Sequence, residues 1–201
     1  MNRPQRTHIF ILIGIAAVGL VASMMALNGY DPFLYSLIRA CGLLGYLAVF
    51  LSCLSSAFLR QMTRAFGRPF VQVHHVFAVS GLVLLIPHAL GVAWNEGSIA
   101  VFAPRFDSLR LFLALGGRPA LWLLAIGSLA ALLRSSLRGN WRLIHRLNYV
   151  AFLLSTAHGL LIGSDLGHGI ARVVVIAMAV GLTAATAWKK ALQARQKARR
   201  S

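Results

Sequence analysis

VQVHHVFAVSGLVLLIPHAL, residues 71–90, contains no Asp, Glu, Lys or Arg, yet it holds three histidines, His74, His75 and His88. A run of about 20 mostly apolar residues is long enough to cross the roughly 30 Å hydrocarbon core of a bilayer as one helix. A polar ring in such a run must find a partner or cost several kcal/mol. The stretch therefore points to folding in lipid, and it asks what three imidazoles are for.

Working outward, apolar length predicts spans at 9–27, 33–58, 71–94, 119–137, 142–163 and 169–188. The expected fold is an all-α membrane protein, a six-helix transmembrane bundle forming a single domain over 1–201. The composition agrees, with 58% hydrophobic and 12% charged residues, which is a membrane profile. The last two spans are the least clean. Arg142, His145, Arg146 and Asn148 crowd one entrance and Arg172 another, and Leu160 to Gly163 and Val173 to Thr186 restore the apolar length.

Charge orients the bundle. Of 20 Lys and Arg, 15 fall in four places: Arg3 and Arg6; Arg60, Arg64 and Arg68; Arg134, Arg138, Arg142 and Arg146; and the tail from Lys189 to Arg200. With six spans these segments share one side, and excess basic charge marks the cytoplasm. The four acidic residues, Asp31, Glu96, Asp107 and Asp165, all fall in the three other loops. Both termini are thus expected in the cytoplasm, in a multi-pass protein of the inner (plasma) membrane. The net charge of +16 is then topogenic and meets anionic membrane lipid, with no nucleic acid as partner. Segment 9–27 reads as a retained anchor rather than a signal peptide. Trp94, Trp141 and Trp188 sit at span ends, as interfacial anchors do. Cys41 and Cys53 are separated by about 18 Å along one helix, too far for a disulfide.

Five of the seven histidines lie inside expected spans; His8 and His168 do not. The third and fifth spans run in the same direction. His74, His75 and His145 therefore lie near the cytoplasmic end, and His88 and His158 lie about 20 Å further out at ~1.5 Å per residue. Each level receives histidine from both helices, which suits two flat cofactors gripped from opposite sides; haem is the obvious candidate, imidazole being a common axial ligand. At about 100° per residue, His74 and His88 share a face to within about 40°, whereas His75 diverges from His88 by about 140°. His74 is the expected inner ligand and His75 a packing neighbour. His145 and His158 diverge by the same ~140°, so the fifth span needs a π-bulge, a kink or a tilted second haem. The rival from another class is a transporter using histidines for protons or a transition metal, but the spans offer no Asp or Glu for relay. No CxxC, CxxCH, GxGxxG or Walker-type run occurs, which disfavours covalent haem and a nucleotide-binding domain.

The segments HHVFAVSGLVLLIPH (74–88) and HRLNYVAFLLSTAH (145–158), with the entry WRLIHRLNYVAFLL, resemble the ferric reductase-like transmembrane domain family. That family includes the membrane parts of NADPH oxidases and ferric reductases and the haem-binding membrane subunit of the methionine sulfoxide reductase system. The resemblance spans the six-helix chain, but its specific part is these two segments. It implies two b-type haems, held by His74 and His145 on the inner side and by His88 and His158 on the outer side. It also implies one-electron transfer from a cytoplasmic or membrane donor to an acceptor on the outer face. In the oxidases a reductase half follows the last helix, whereas here AWKKALQARQKARRS closes the sequence. A separate donor is therefore expected, a flavin reductase or a quinol, and a ferric chelate, oxygen or a periplasmic enzyme as acceptor. The sulfoxide-reductase arrangement is the alternative within the family.

Arg64, Arg68, Arg138, Arg142 and Arg146 suit haem propionates or the phosphate of a flavin (FMN or FAD) bound at the cytoplasmic side or on a partner. Arg39 and Arg172 are expected to meet outer propionates or to snorkel. Residues 99–114 are expected to form a short surface helix that covers the outer haem or docks a partner.

Overall fold

The computed structural model describes residues 3–26, 32–167 and 169–199, and these contain helices and loops with no strand. Leu27, Asp31 and His168, used above for the first span and for the outer loops, lie outside the described residues. Helix α1 is Arg3–Ala26, α2 Phe33–Ala57, α3 Leu59–Phe66 and α4 Phe70–Glu96. A 3-10 turn at Ile99–Phe102 leads to α5 (Leu109–Ala114), α6 (Gly117–Leu132), α7 (Arg134–Leu137), α8 (Trp141–His145) and α9 (Leu147–Ile162). A last 3-10 turn, Ser164–Leu166, precedes α10 (Gly169–Ala198).

Among the described residues, four helices are long and apolar enough to cross a membrane: Ile9–Ala26 of α1, α2, α4, and Gly169–Gln196 of α10. The number becomes five if Gly117–Leu132 and Arg134–Ile162, bent by 81° at the break between them, count as one broken span. α6 and α9 have 16 residues each, about 24 Å of helix, which is short of a full hydrocarbon core on their own. The segment expected at 119–137 stops at Leu132, where Arg134, Ser135 and Ser136 end the apolar run. The segment expected at 142–163 is interrupted at Arg146.

The long helices are apolar on their outer faces as well. Leu12 and Ile15 on α1, Val79, Val83 and Leu90 on α4, and Val173 and Val180 on α10 are each more than half exposed. Apolar patches this extensive are uncommon on proteins that face water, and helices satisfy their backbone groups internally, as lipid requires.

Inside, Val49, Cys53, Ala120, Leu124, Ala151, Phe152 and Leu182 form one core that joins α2, α6, α9 and α10. Phe152 is fully buried and stacks on Tyr46 with ring centroids 5.0 Å apart. The Tyr46 hydroxyl bonds to Thr156 Oγ1 at 2.9 Å, which meets its polar requirement. In a second cluster Phe66, Val73 and Phe77 pack with Phe10, fastening α3 and α4 to α1. Arg39 on α2 forms a buried ion pair with Asp165 in the Ser164–Leu166 turn.

Candidate functional site

α4 packs along α2, and α6 packs along α9. The histidines meet in the space between these two helix pairs, and they do so at two levels. His74 on α4 and His145 on α8 lie with ring centroids 5.9 Å apart and planes at 73°. Two imidazoles on opposite sides of one metal, each bonded at about 2.0 Å, would have their ring centres about 6 Å apart. Both rings line a cavity of about 70 Å³ together with Ser52, Ser56, Asn148 and Tyr149. His88 on α4 and His158 on α9 line a much larger cavity of about 540 Å³, within the range of cofactor sites.

All four rings are held the same way. His74 Nδ1 lies 3.0 Å from the Ser52 carbonyl, and the Ser52 and Ser55 hydroxyls lie 3.1 and 3.3 Å from the same nitrogen. His88 Nδ1 is 2.9 Å from the Ile38 carbonyl, His145 Nδ1 2.9 Å from that of Gly127, and His158 Nδ1 2.7 Å from that of Ala114. A carbonyl oxygen can only accept, so each Nδ1 must carry the proton and donate it. In a neutral imidazole that leaves Nε2 as a bare lone pair. A ring oriented by a backbone carbonyl through one nitrogen, with the other nitrogen open, is the form in which histidine ligates a metal.

Local structure makes each bond possible. The Ala114 carbonyl lies at the end of α5, where no partner exists within the helix. Ile38 is inside α2, and its carbonyl is reached because Gly42 has no side chain; a Cβ there would stand 2.7 Å from His88 Nδ1. A Cβ on Gly117 would stand 3.0 Å from His158 Nε2, the ring nitrogen not engaged by the Ala114 carbonyl. Pro87 precedes His88 inside α4 and removes one rung of the helical ladder there.

The mismatch of phase in the fifth segment meets a physical break. The Arg146 N–H is shared between the Arg142 and Leu143 carbonyls at 3.3 and 3.2 Å, and the Tyr149 N–H donates to the Arg146 carbonyl at 3.0 Å. These are the shorter steps of a 3-10 turn, which advances the chain about 20° more per residue than an α-helix. The break lies between His145 and His158 and reduces their divergence. His75 is exposed, beside His74 but outside both cavities.

The arginines are arranged otherwise than the sequence suggests. Arg39 does line the larger cavity, but its guanidinium is committed to Asp165, and Arg172 donates to the Leu160 carbonyl at 3.1 Å. Arg64, Arg68, Arg138, Arg142 and Arg146 are exposed and line neither cavity. The basic group that sequence reasoning missed is Arg118, which lines the larger cavity at the start of α6. Its Nη1 holds the Ala100 and Ala103 carbonyls at 3.0 and 3.2 Å, while Trp122 Nε1 holds that of Phe102 at 2.8 Å. The segment expected to be one surface helix is thus a clamped 3-10 turn followed by α5, and Val101 and Phe102 form part of the cavity wall. Further along the loop, Arg105 donates to both carboxylate oxygens of Asp107 at 2.9 Å, which lowers the carboxyl below its ordinary range.

Compared with family models, curated proteins and solved structures, the chain matches none. Its chemistry has to be read from its own geometry. The paired, carbonyl-oriented imidazoles fit a metal-centred group at both levels. The cavity around His88 and His158, about 540 Å³, is of the size of a cofactor site, whereas the space of about 70 Å³ between His74 and His145 would have to widen to take a macrocycle.

Proposed function

We propose that the chain is a six-span, di-haem b membrane cytochrome that passes electrons from a cytoplasmic or membrane donor to an acceptor on the outer face. In this reading α6 and the α8–α9 unit each cross the bilayer, and both termini are cytoplasmic. One observation carries it: the four histidines selected by depth and pairing all place Nδ1 within 3.0 Å of a backbone carbonyl oxygen, the contact that favours the Nδ1–H tautomer. Packing alone gives no reason for four rings to share one tautomer and meet in pairs.

His74 and His145 would hold the inner haem, and His88 and His158 the outer. Bound there, haem b supplies reversible one-electron storage. The chain's part is to fix the rings, to leave room for the His88 ring through Gly42 and for His158 Nε2 through Gly117, and to exclude water with Val49, Leu124 and Phe152. Arg118, whose Nη1 alone is engaged by the loop carbonyls, suits a carboxylate at the mouth of the larger cavity. The donor is a separate flavin reductase or a quinol, and the acceptor a ferric chelate, oxygen or a periplasmic enzyme.

The test is a dithionite-reduced minus oxidised spectrum with a pyridine haemochrome assay on protein purified from membranes. Two b haems per chain are expected. Protein that folds but takes up no haem under haem-replete expression overturns the reading in favour of a histidine-using transporter.

A further inference from the structure

Val101 and Phe102 give the larger cavity a wall that belongs to no long helix. They lie in the segment 97–108. It leaves α4 at Gly97, where a left-handed φ of 61° ends the helix, and enters α5 at Ser108, whose hydroxyl accepts from the Leu111 N–H at 3.2 Å. Backbone outside long helices and sheets has to find its hydrogen-bond partners elsewhere. Here the carbonyls of Ala100, Phe102 and Ala103 take theirs from side chains of α6. Arg118 Nη1 donates to Ala100 and Ala103 at 3.0 and 3.2 Å, and Trp122 Nε1 donates to Phe102 at 2.8 Å. Among the described residues, the other hydrogen bonds of 99–107 stay within the segment.

The same stretch of chain carries the groups that orient His158. α5 begins where the segment ends, and its last carbonyl, that of Ala114, accepts from His158 Nδ1. Gly117, next to Arg118, faces the same ring. The chain therefore runs without interruption from the cavity wall to the carbonyl that fixes a candidate ligand.

We infer that residues 97–108 form a strap, latched by Arg118 and Trp122, that opens to admit a ligand to the larger cavity and closes over it. A hydrogen bond between a side chain and an exposed carbonyl contributes only modestly, because water replaces it on opening. Segments that move are those with few buried contacts and solvent-exposed backbone hydrogen bonds. The strap meets both conditions: Ile99 is already 85% exposed, and Val101 and Phe102 are only half-buried. Elsewhere the cavity is walled by core residues, Val49, Leu124 and Phe152, whose packing holds without a latch.

The strap does not depend on what the cavity holds; its effect on haem exchange rests on the proposed function. In full-length protein with Cys41→Ala and Cys53→Ala, Val101→Cys reports the cavity wall and Ile99→Cys the open side of the strap. A maleimide carrying a polyethylene glycol chain is too bulky for the cavity, so position 101 is expected to react more slowly than 99. Arg118→Met combined with Trp122→Phe removes all three latch bonds, each worth roughly a two- to tenfold factor in the opening equilibrium. It is expected to speed the reaction at 101 at least about tenfold and to leave 99 unchanged. Trp122→Phe alone keeps the ring packing and loses one bond; its expected gain of roughly two- to tenfold decides the matter if the double variant does not fold. Equal rates at 99 and 101 behind the native latch, or a rate at 101 that ignores both latch variants, would overturn the inference. In His145→Ala protein, where the pair at the larger cavity is the complete one, Trp122→Phe should raise the rates of haem uptake and release together and leave the affinity unchanged. A lower affinity with unaltered uptake would make Trp122 a structural support and overturn the gate. A chain that binds no haem would defeat the functional reading and leave the cysteine rates to judge the strap.

Discussion

The chemistry turns on which ring nitrogen is free. Depth and helical phase select His74 over His75 in the sequence, and the structure separates them by a visible criterion: His74 Nδ1 meets the Ser52 carbonyl, while His75 is exposed. On the proposed di-haem function, His74→Ala should therefore remove the inner haem and His75→Ala should leave both, as read by haem-to-protein ratio. Loss of haem in His75→Ala alone would exchange their roles. The histidines were legible because a polar ring in an apolar run stands out. Their partners were not, since a backbone carbonyl has no letter in the sequence. Gly42 and Gly117 were equally hidden: among the chain's 18 glycines, only the folded structure shows which two face a histidine. Gly42→Leu should expel the His88 ring from the Ile38 carbonyl and lose the outer haem while keeping the inner one. Equal loss of both haems would instead mean that α2 and α4 had separated.

At the scale of elements, charge and topology work against each other at Arg39. A guanidinium within a span invites a ligand role, and the sequence offers no sign of Asp165, 126 positions away, as its partner. The pair instead ties α2 to the turn between α9 and α10. Removing one member of a buried pair leaves the other charge uncompensated, at a cost of about 3–5 kcal/mol. Asp165→Ala should lower the thermal midpoint in detergent and loosen the outer cavity. Replacing both residues with apolar ones should recover much of the loss, and a double variant no better than the single would argue for a ligand-directed charge. The α8–α9 break was only half legible. Two histidines 13 positions apart demanded a departure from regular helix, but its location at Arg146 depends on the shared N–H of that residue.

For the whole molecule, the open question is how often the chain crosses the bilayer. Length and apolarity give four candidate crossings among the described helices, or five if the bent pair Gly117–Leu132 and Arg134–Ile162 is one span, whereas the charge pattern of the sequence predicts six. The two answers differ at a measurable place. If α6 and α8–α9 each cross, the loop around Asp107 and the turn around Ser164 lie on the same side, with Ser136 on the other. If they form one broken span, Asp107 and Ser164 lie on opposite sides. All three positions are exposed, and a background with Cys41→Ala and Cys53→Ala removes the two native thiols. Single cysteines at 107 and 164 should then react with a membrane-impermeant maleimide from outside intact cells, and one at 136 only after permeabilisation. The paired histidines give a physical reason to expect this. His74 and His88 rise along α4 in the same order as His145 and His158 rise along α8–α9, so two level pairs form only if these helices run parallel. Parallel helices separated by a single crossing, α6, require the connecting loop to return to the starting side. Labelling of 107 and 164 from opposite faces would break that parallel arrangement and the two-haem assignment with it.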